Sequence, residues 1–88
     1  MTKRQQRARM REVQKELLER VRKRFPRVEL IETEERPGGT FVLHLYAPYK
    51  DMLFAILDCT SPRVVELIDE GLDVMVLPHR QKPARRAA

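Results

Sequence analysis

A chain of 88 residues with 42% hydrophobic and 35% charged side chains makes one domain, burying only about 60 to 65% of the surface its unfolded form exposes. Its lone cysteine, Cys59, excludes an internal disulfide, and the lack of a secretory h-region or an apolar run near eighteen residues points to a soluble, cytoplasmic protein with no membrane partner. Asn is absent and Arg outnumbers Lys thirteen to five, which fits loss of a heat-labile amide in a thermophilic source and equally a GC-rich genome.

The net charge of +5 hides a strong segregation. Residues 1–27 carry eleven Lys/Arg against three Glu, residues 28–76 three basic against ten acidic, and residues 77–88 four basic and no acidic. A basic opening and a basic tail therefore flank an acidic body, a pattern that suits a polyanionic partner or an acidic protein surface.

From 2 to 25 the pattern is helical. Met10, Val13, Leu17, Val21 and Phe25 recur at spacings of three and four, Leu18 widens the stripe, and Pro26 stops it. At about 100° per residue, Arg4, Arg11, Lys15 and Arg22 fall within roughly 40° of one another, apart from the stripe of Glu12, Glu16 and Glu19. The basic residues thus form a line. Glu16 with Arg20 and Glu19 with Lys23 have the spacing and orientation of supporting helix pairs.

Beyond Pro26 the period changes to two. Residues 27–34 read as a strand, 35–39 with Pro37, Gly38 and Gly39 as a hairpin turn, and 40–47 as the partner strand. Gly38 and Gly39 lack the longer glycine pattern of a phosphate-cradling loop, so no nucleotide or other small-molecule ligand is expected. Residues 48–51 make a second turn. Residues 52–58 are apolar on both parities, which fits a short helix or a buried strand; the punctuation that follows favours the strand.

That punctuation is Ser61 as N-cap, Pro62 at the first helical position and Gly71 at the C-terminal left-handed position of a ten-residue helix. Residues 72–77 then read as a last strand closed by Pro78, and 79–88 as a flexible basic tail. The resulting fold is α+β: one small domain over 1–78, order α-β-β-β-α-β, with a four-stranded mixed sheet in which an antiparallel meander joins a parallel βαβ unit. With two strands apolar on both sides, each sheet face wants cover, from one helix per face or from a second subunit. A homodimer is expected, with Val42, His44 and Tyr46 on the more amphipathic face of the second strand as its candidate interface.

This order of elements is similar to that of the PD-(D/E)xK nuclease core, a resemblance that implies a divalent metal held by an acid on the second strand and an acid-x-Lys on the third. Here Asp58 is followed by Cys59 and Thr60, and 40–47 contains no carboxylate, so the metal would lack its ligands. A helix followed by three strands and a helix also resembles the double-stranded RNA-binding domain. This chain departs from that pattern in its fourth strand and in an acidic second helix.

No H-x-x-x-H, C-x-x-C or H-E-x-x-H spacing is present, so no metal and no cofactor are expected. Cys59 is read as a packing residue and His44 as a half-buried strand residue, with no nucleophile near it in sequence. An enzyme is therefore not expected. The reading is a non-enzymatic module that binds DNA or RNA through Arg4, Arg11, Lys15 and Arg22 on the first helix and Arg80, Lys82, Arg85 and Arg86 on the tail. Its alternative is a homo-oligomeric structural protein whose basic helix docks on acidic surface, with Glu66, Asp69 and Glu70 as acceptors within the chain.

Overall fold

A computed structural model describes residues 2–48 and 52–81. Thr2 opens helix α1 (Lys3–Arg24) with a capping box: its hydroxyl accepts from the Gln5 N–H at 3.2 Å while its own N–H donates to Gln5 Oε1 at 2.9 Å. Arg22, Lys23 and Arg24 crowd the last turn, where cations complement the helix dipole. The chain leaves the helix at Phe25 and turns at Pro26, as the sequence requires.

Strands β1 (Glu29–Glu35) and β2 (Phe41–Tyr46) form the expected antiparallel hairpin. Its turn is closed by the Gly39 N–H on the Arg36 carbonyl at 2.9 Å, and Gly39 sits at φ 89°, open to glycine at no steric cost. The register slips between Leu30 and Glu32, a bulge that re-aims the remainder of β1 so that Thr33 stands opposite Leu43 and Glu34 opposite Val42.

The expected third strand does not exist. Residues 52–58 belong to helix α2 (Leu53–Asp69), so the order is α-β-β-α-β and the sheet has three strands, β1-β2-β3, rather than four. The segment's two apolar parities fit either state, and the helix wins because it places Ile56, Thr60 and Leu67 on one buried face. Ser61 and Pro62 are consequently interior, not caps. The Ser61 hydroxyl donates to the Leu57 carbonyl at 2.6 Å and that of Thr60 to the Ile56 carbonyl at 3.0 Å. Pro62 deprives the Asp58 carbonyl of its helical donor, but both residues are exposed, so water can take that place.

Gly71 ends α2 as the sequence indicates. It lies at φ 95°, its N–H donates to the Ile68 carbonyl at 3.0 Å, and the Leu72 N–H reaches the Leu67 carbonyl at 2.9 Å. This is a Schellman arrangement whose apolar pair, Leu67 and Leu72, is fully buried. Strand β3 (Val74–His79) then pairs parallel with β2. It runs through Pro78 into His79, where the sequence places the start of the tail, because an edge strand tolerates a missing N–H on its outer side.

Both helices lie on one face of the sheet. Phe41, Leu43 and Leu45 of β2 and Val74 and Val76 of β3 meet Met10, Val13, Leu17 and Val21 of α1 and Ile56 and Leu67 of α2 in a single core. Of the two covers expected, one helix per face or a second subunit, the first is overturned, since β1 and β2 put Glu29, Glu32, Glu34 and His44 on the other face and leave only one face apolar. The opposite face carries Val42, His44 and Tyr46 and receives no helix among the described residues. No helix of those residues is long and apolar enough to cross a membrane.

Candidate nucleic-acid interface

Helix α1 presents three longitudinal zones around its buried stripe. Toward β1, Arg7 makes a bidentate pair with Glu35, its Nε at 3.0 Å and Nη2 at 2.9 Å from the two carboxylate oxygens, and Thr33 donates to Gln14 Oε1 at 2.7 Å. Toward α2, Glu16 accepts from Arg63 Nε at 2.6 Å and Nη2 at 3.2 Å, Arg9 spans Glu12 at 3.0 Å and Glu70 at 3.6 Å, and the Cys59 thiol points at the Arg20 carbonyl at 3.8 Å. Part of the charge on both flanks is thus spent on seating the helix. Glu16 reaches Arg63 on the neighbouring helix rather than Arg20 one turn on.

Between the flanks, on the side facing solvent, stand Arg4, Arg11, Lys15 and Arg22. All four are exposed, and among the described residues none makes an ion pair or hydrogen bond. The acidic residues of α2 do not cover them: Glu66 and Glu70 lie at 3.5 and 3.7 Å from Arg63, on the far flank of α1. At about 1.5 Å per residue the line from Arg4 to Arg22 is about 27 Å long. Three surface hollows adjoin it. One, of about 260 Å³, runs between α1 and β1 past Arg11, Gln14 and Thr33; a second, of about 410 Å³, lies at the end of the sheet between Arg22, Arg27 and Tyr46; a third, of about 320 Å³, is lined by Glu19, Arg22 and Lys23.

The remaining basic residues of the expected surface are placed less favourably. Arg80 follows β3 and is exposed at the same end of the molecule as Arg22, but at the opposite edge of the sheet from α1. Lys82, Arg85 and Arg86 lie outside the described residues. The acidic body is also borne out in detail, with β1 carrying Glu29, Glu32, Glu34 and Glu35.

The open sheet face holds an arrangement that spacing alone does not reveal. His44 of β2 is hydrogen-bonded at both ring nitrogens, Nε2 to Glu34 Oε1 of β1 and Nδ1 to His79 Nε2 of β3, each at 2.8 Å. The imidazole rings stack at 5.1 Å between centroids. A carboxylate only accepts, so His44 donates from Nε2, and when neutral it receives the His79 proton at Nδ1. The His44 bond and the nearby Arg36 hold the Glu34 carboxyl below its ordinary range. The three side chains form one hydrogen-bonded chain across the open sheet face. Its hydrogen-bond partners include no nucleophile, and among the described residues no group of three or more His, Cys, Asp or Glu could hold a metal ion.

Of the candidate interface residues, His44 is therefore engaged within the sheet, while Val42 is fully buried between its cross-strand neighbours Glu34 and Met75. Tyr46 is half-buried. The alternation of β2 correctly puts all three on one face; that His79 joins them depends on β3 continuing through Pro78. Compared with known protein families, curated proteins and solved structures, the chain matches none.

Proposed function

We propose that this protein is a small, non-enzymatic nucleic-acid-binding module that meets the phosphate backbone with the solvent face of α1. The observation that carries the reading is an open line of cations. Arg7, Arg9 and Arg63 are matched by carboxylates, whereas Arg4, Arg11, Lys15 and Arg22, aligned on the solvent side of α1, are left open, as are Arg20 and Lys23 elsewhere on the helix. A line about 27 Å long matches the axial rise of about eight base pairs. Guanidinium groups also suit bidentate contact with phosphate oxygens.

The acidic residues of β1 restrict the contact to the helix, because a polyanion lying across the sheet would face Glu29, Glu32 and Glu34. Arg80 adds a cation at the other edge of the sheet, and Lys82, Arg85 and Arg86 follow it in sequence. The reading places the protein in the cytoplasm, where its free Cys59 thiol stays reduced.

Salt dependence is the test. Four phosphate contacts give a log-log slope near −3.6 on duplex DNA and roughly a hundredfold loss of affinity between about 50 and 200 mM salt. Binding to mixed-sequence DNA and RNA, read by fluorescence anisotropy, should follow that slope and vanish when Arg4, Arg11, Lys15 and Arg22 are all replaced by Ala. Absence of binding at the lower salt concentration would refute the proposal.

A further inference from the structure

We infer that α2 carries a self-complementary apolar seam on which a second copy of this chain docks, helix against helix and antiparallel, with no strand pairing between the copies. The inference does not depend on nucleic-acid binding. It starts from two stripes on one helix. Ile56, Thr60 and Leu67 form the first, and all three are buried. Phe54, Leu57, Ser61, Val64 and Ile68 form the second, spaced alternately three and four residues apart in the manner of a helix-pairing seam, with Val65 beside it.

The core of one chain uses the first stripe and leaves the second in water. At about 100° per residue the second is centred about 100° round the helix from the first, on the side away from Cys59, Arg63 and Glu70, which face α1. Phe54 is 79% exposed, Val65 58% and Ile68 47%. Of the five exposed large apolar side chains among the described residues, only Met75 lies off α2. No charged residue interrupts the seam, and an apolar surface of this length is one that monomers rarely leave uncovered.

The symmetry of the seam selects a second copy as its cover. Phe54 and Ile68 lie seven residues to either side of Ser61, and Leu57 and Val65 lie four. In an antiparallel pair whose two-fold axis passes at Ser61, each Phe54 meets the partner's Ile68 and each Leu57 the partner's Val65, with the small serine side chains at the centre letting the helices approach. The Ser61 hydroxyl already donates to the Leu57 carbonyl at 2.6 Å, so covering it strands no donor. The sheets take no part. Helix α2 rests on β3, and two α2 axes about 8 to 10 Å apart leave the strands beneath them beyond the roughly 4.8 Å of a ladder.

Charge fixes the antiparallel sense. Helix α2 has no acidic residue in its first turn and no basic one in its last, where Asp69 stands instead, exposed and with no ion-pair partner among the described residues. A carboxylate is unfavourable at the negative end of a helix dipole and favourable at the positive end. Antiparallel pairing about Ser61 carries each Asp69 to the first turn of α2 in the other copy, seven plus one residues from the axis on both sides. Parallel pairing would instead set Asp58 and Asp69 each against the same residue of the other copy, like charge against like.

Analytical ultracentrifugation of the full chain over micromolar to millimolar concentration tests this directly. The expected species is twice 10.4 kDa, dissociating on dilution. Phe54→Asp and Ile68→Asp should each weaken dimerisation about tenfold or more, with the circular dichroism of the monomer unchanged, as both side chains are exposed. Met75→Asp, on the open sheet face beside Val42, should leave the dimer intact. In a Cys59→Ala background, Ser61→Cys should join two chains by a disulfide on mild oxidation, because the axis passes at that position. A chain that is monomeric throughout the range, a dimer indifferent to the Phe54 and Ile68 substitutions, a dimer dissolved by Met75→Asp, or a Ser61→Cys chain that does not cross-link would overturn the proposal.

Discussion

Glu34 and Glu35 are consecutive in β1, so their side chains leave opposite faces of the sheet, one to His44 and the other to Arg7 of α1. Both carboxyls are held below their ordinary value of 4.5, Glu34 chiefly by the His44 hydrogen bond and Glu35 by the bidentate Arg7 pair. A carboxyl with a depressed folded pKa stabilises the native state above its unfolded value and ceases to do so as pH falls through the folded one. Stability should therefore be flat from neutral pH down to about 4.5 as far as these groups are concerned, then fall with further acidification. Urea midpoints across a pH series would show it, and Glu35→Gln should flatten part of the acid limb while leaving the Glu34 contribution in place.

At the scale of the element, local chemistry announced α1, the hairpin and the end of α2 correctly, because each rests on contacts within a few residues: the stripe before Pro26, the turn at Gly39 and the Schellman close at Gly71. It failed at Pro62. Ser61-Pro62 reads as a helix start, yet the helix begins nine residues before Pro62, at Leu53, with Pro62 exposed on its solvent side. A proline inside a helix costs about 3 kcal/mol, here offset by burying Met52 and Ile56 against the sheet. Replacing Pro62 by Ala restores a donor for the Asp58 carbonyl, at some cost in unfolded-chain entropy. Pro62→Ala should stabilise the protein by about 1 to 3 kcal/mol in chemical denaturation, whereas an N-cap position for Ser61 would make the same change nearly neutral.

For the whole molecule, the consequence of losing one strand is that the core falls on a single layer of helix against a single sheet face, with Val42 the one β2 residue fully buried on the other. Leu43 sits at its centre, fully buried on the middle strand. Leu43→Ala should cost about 2 to 5 kcal/mol, a large share of the roughly 5 to 15 kcal/mol that holds a domain of this kind together. Loss of a cooperative thermal transition in that variant would be the expected observation near physiological temperature, and an unchanged melting temperature would contradict the single-core description.

The amino-acid sequence by itself determined the basic line of α1, since Arg4, Arg11, Lys15 and Arg22 share a face by helical period alone, and it determined which residues of β2 point together. Only the tertiary structure decided that the line is open, because whether a cation meets a carboxylate depends on partners up to 61 residues away, as with Arg9 and Glu70. The Glu34–His44–His79 chain arises in the same way. Period governs which side chains share a face; the pairing of strands distant in sequence governs what those faces meet.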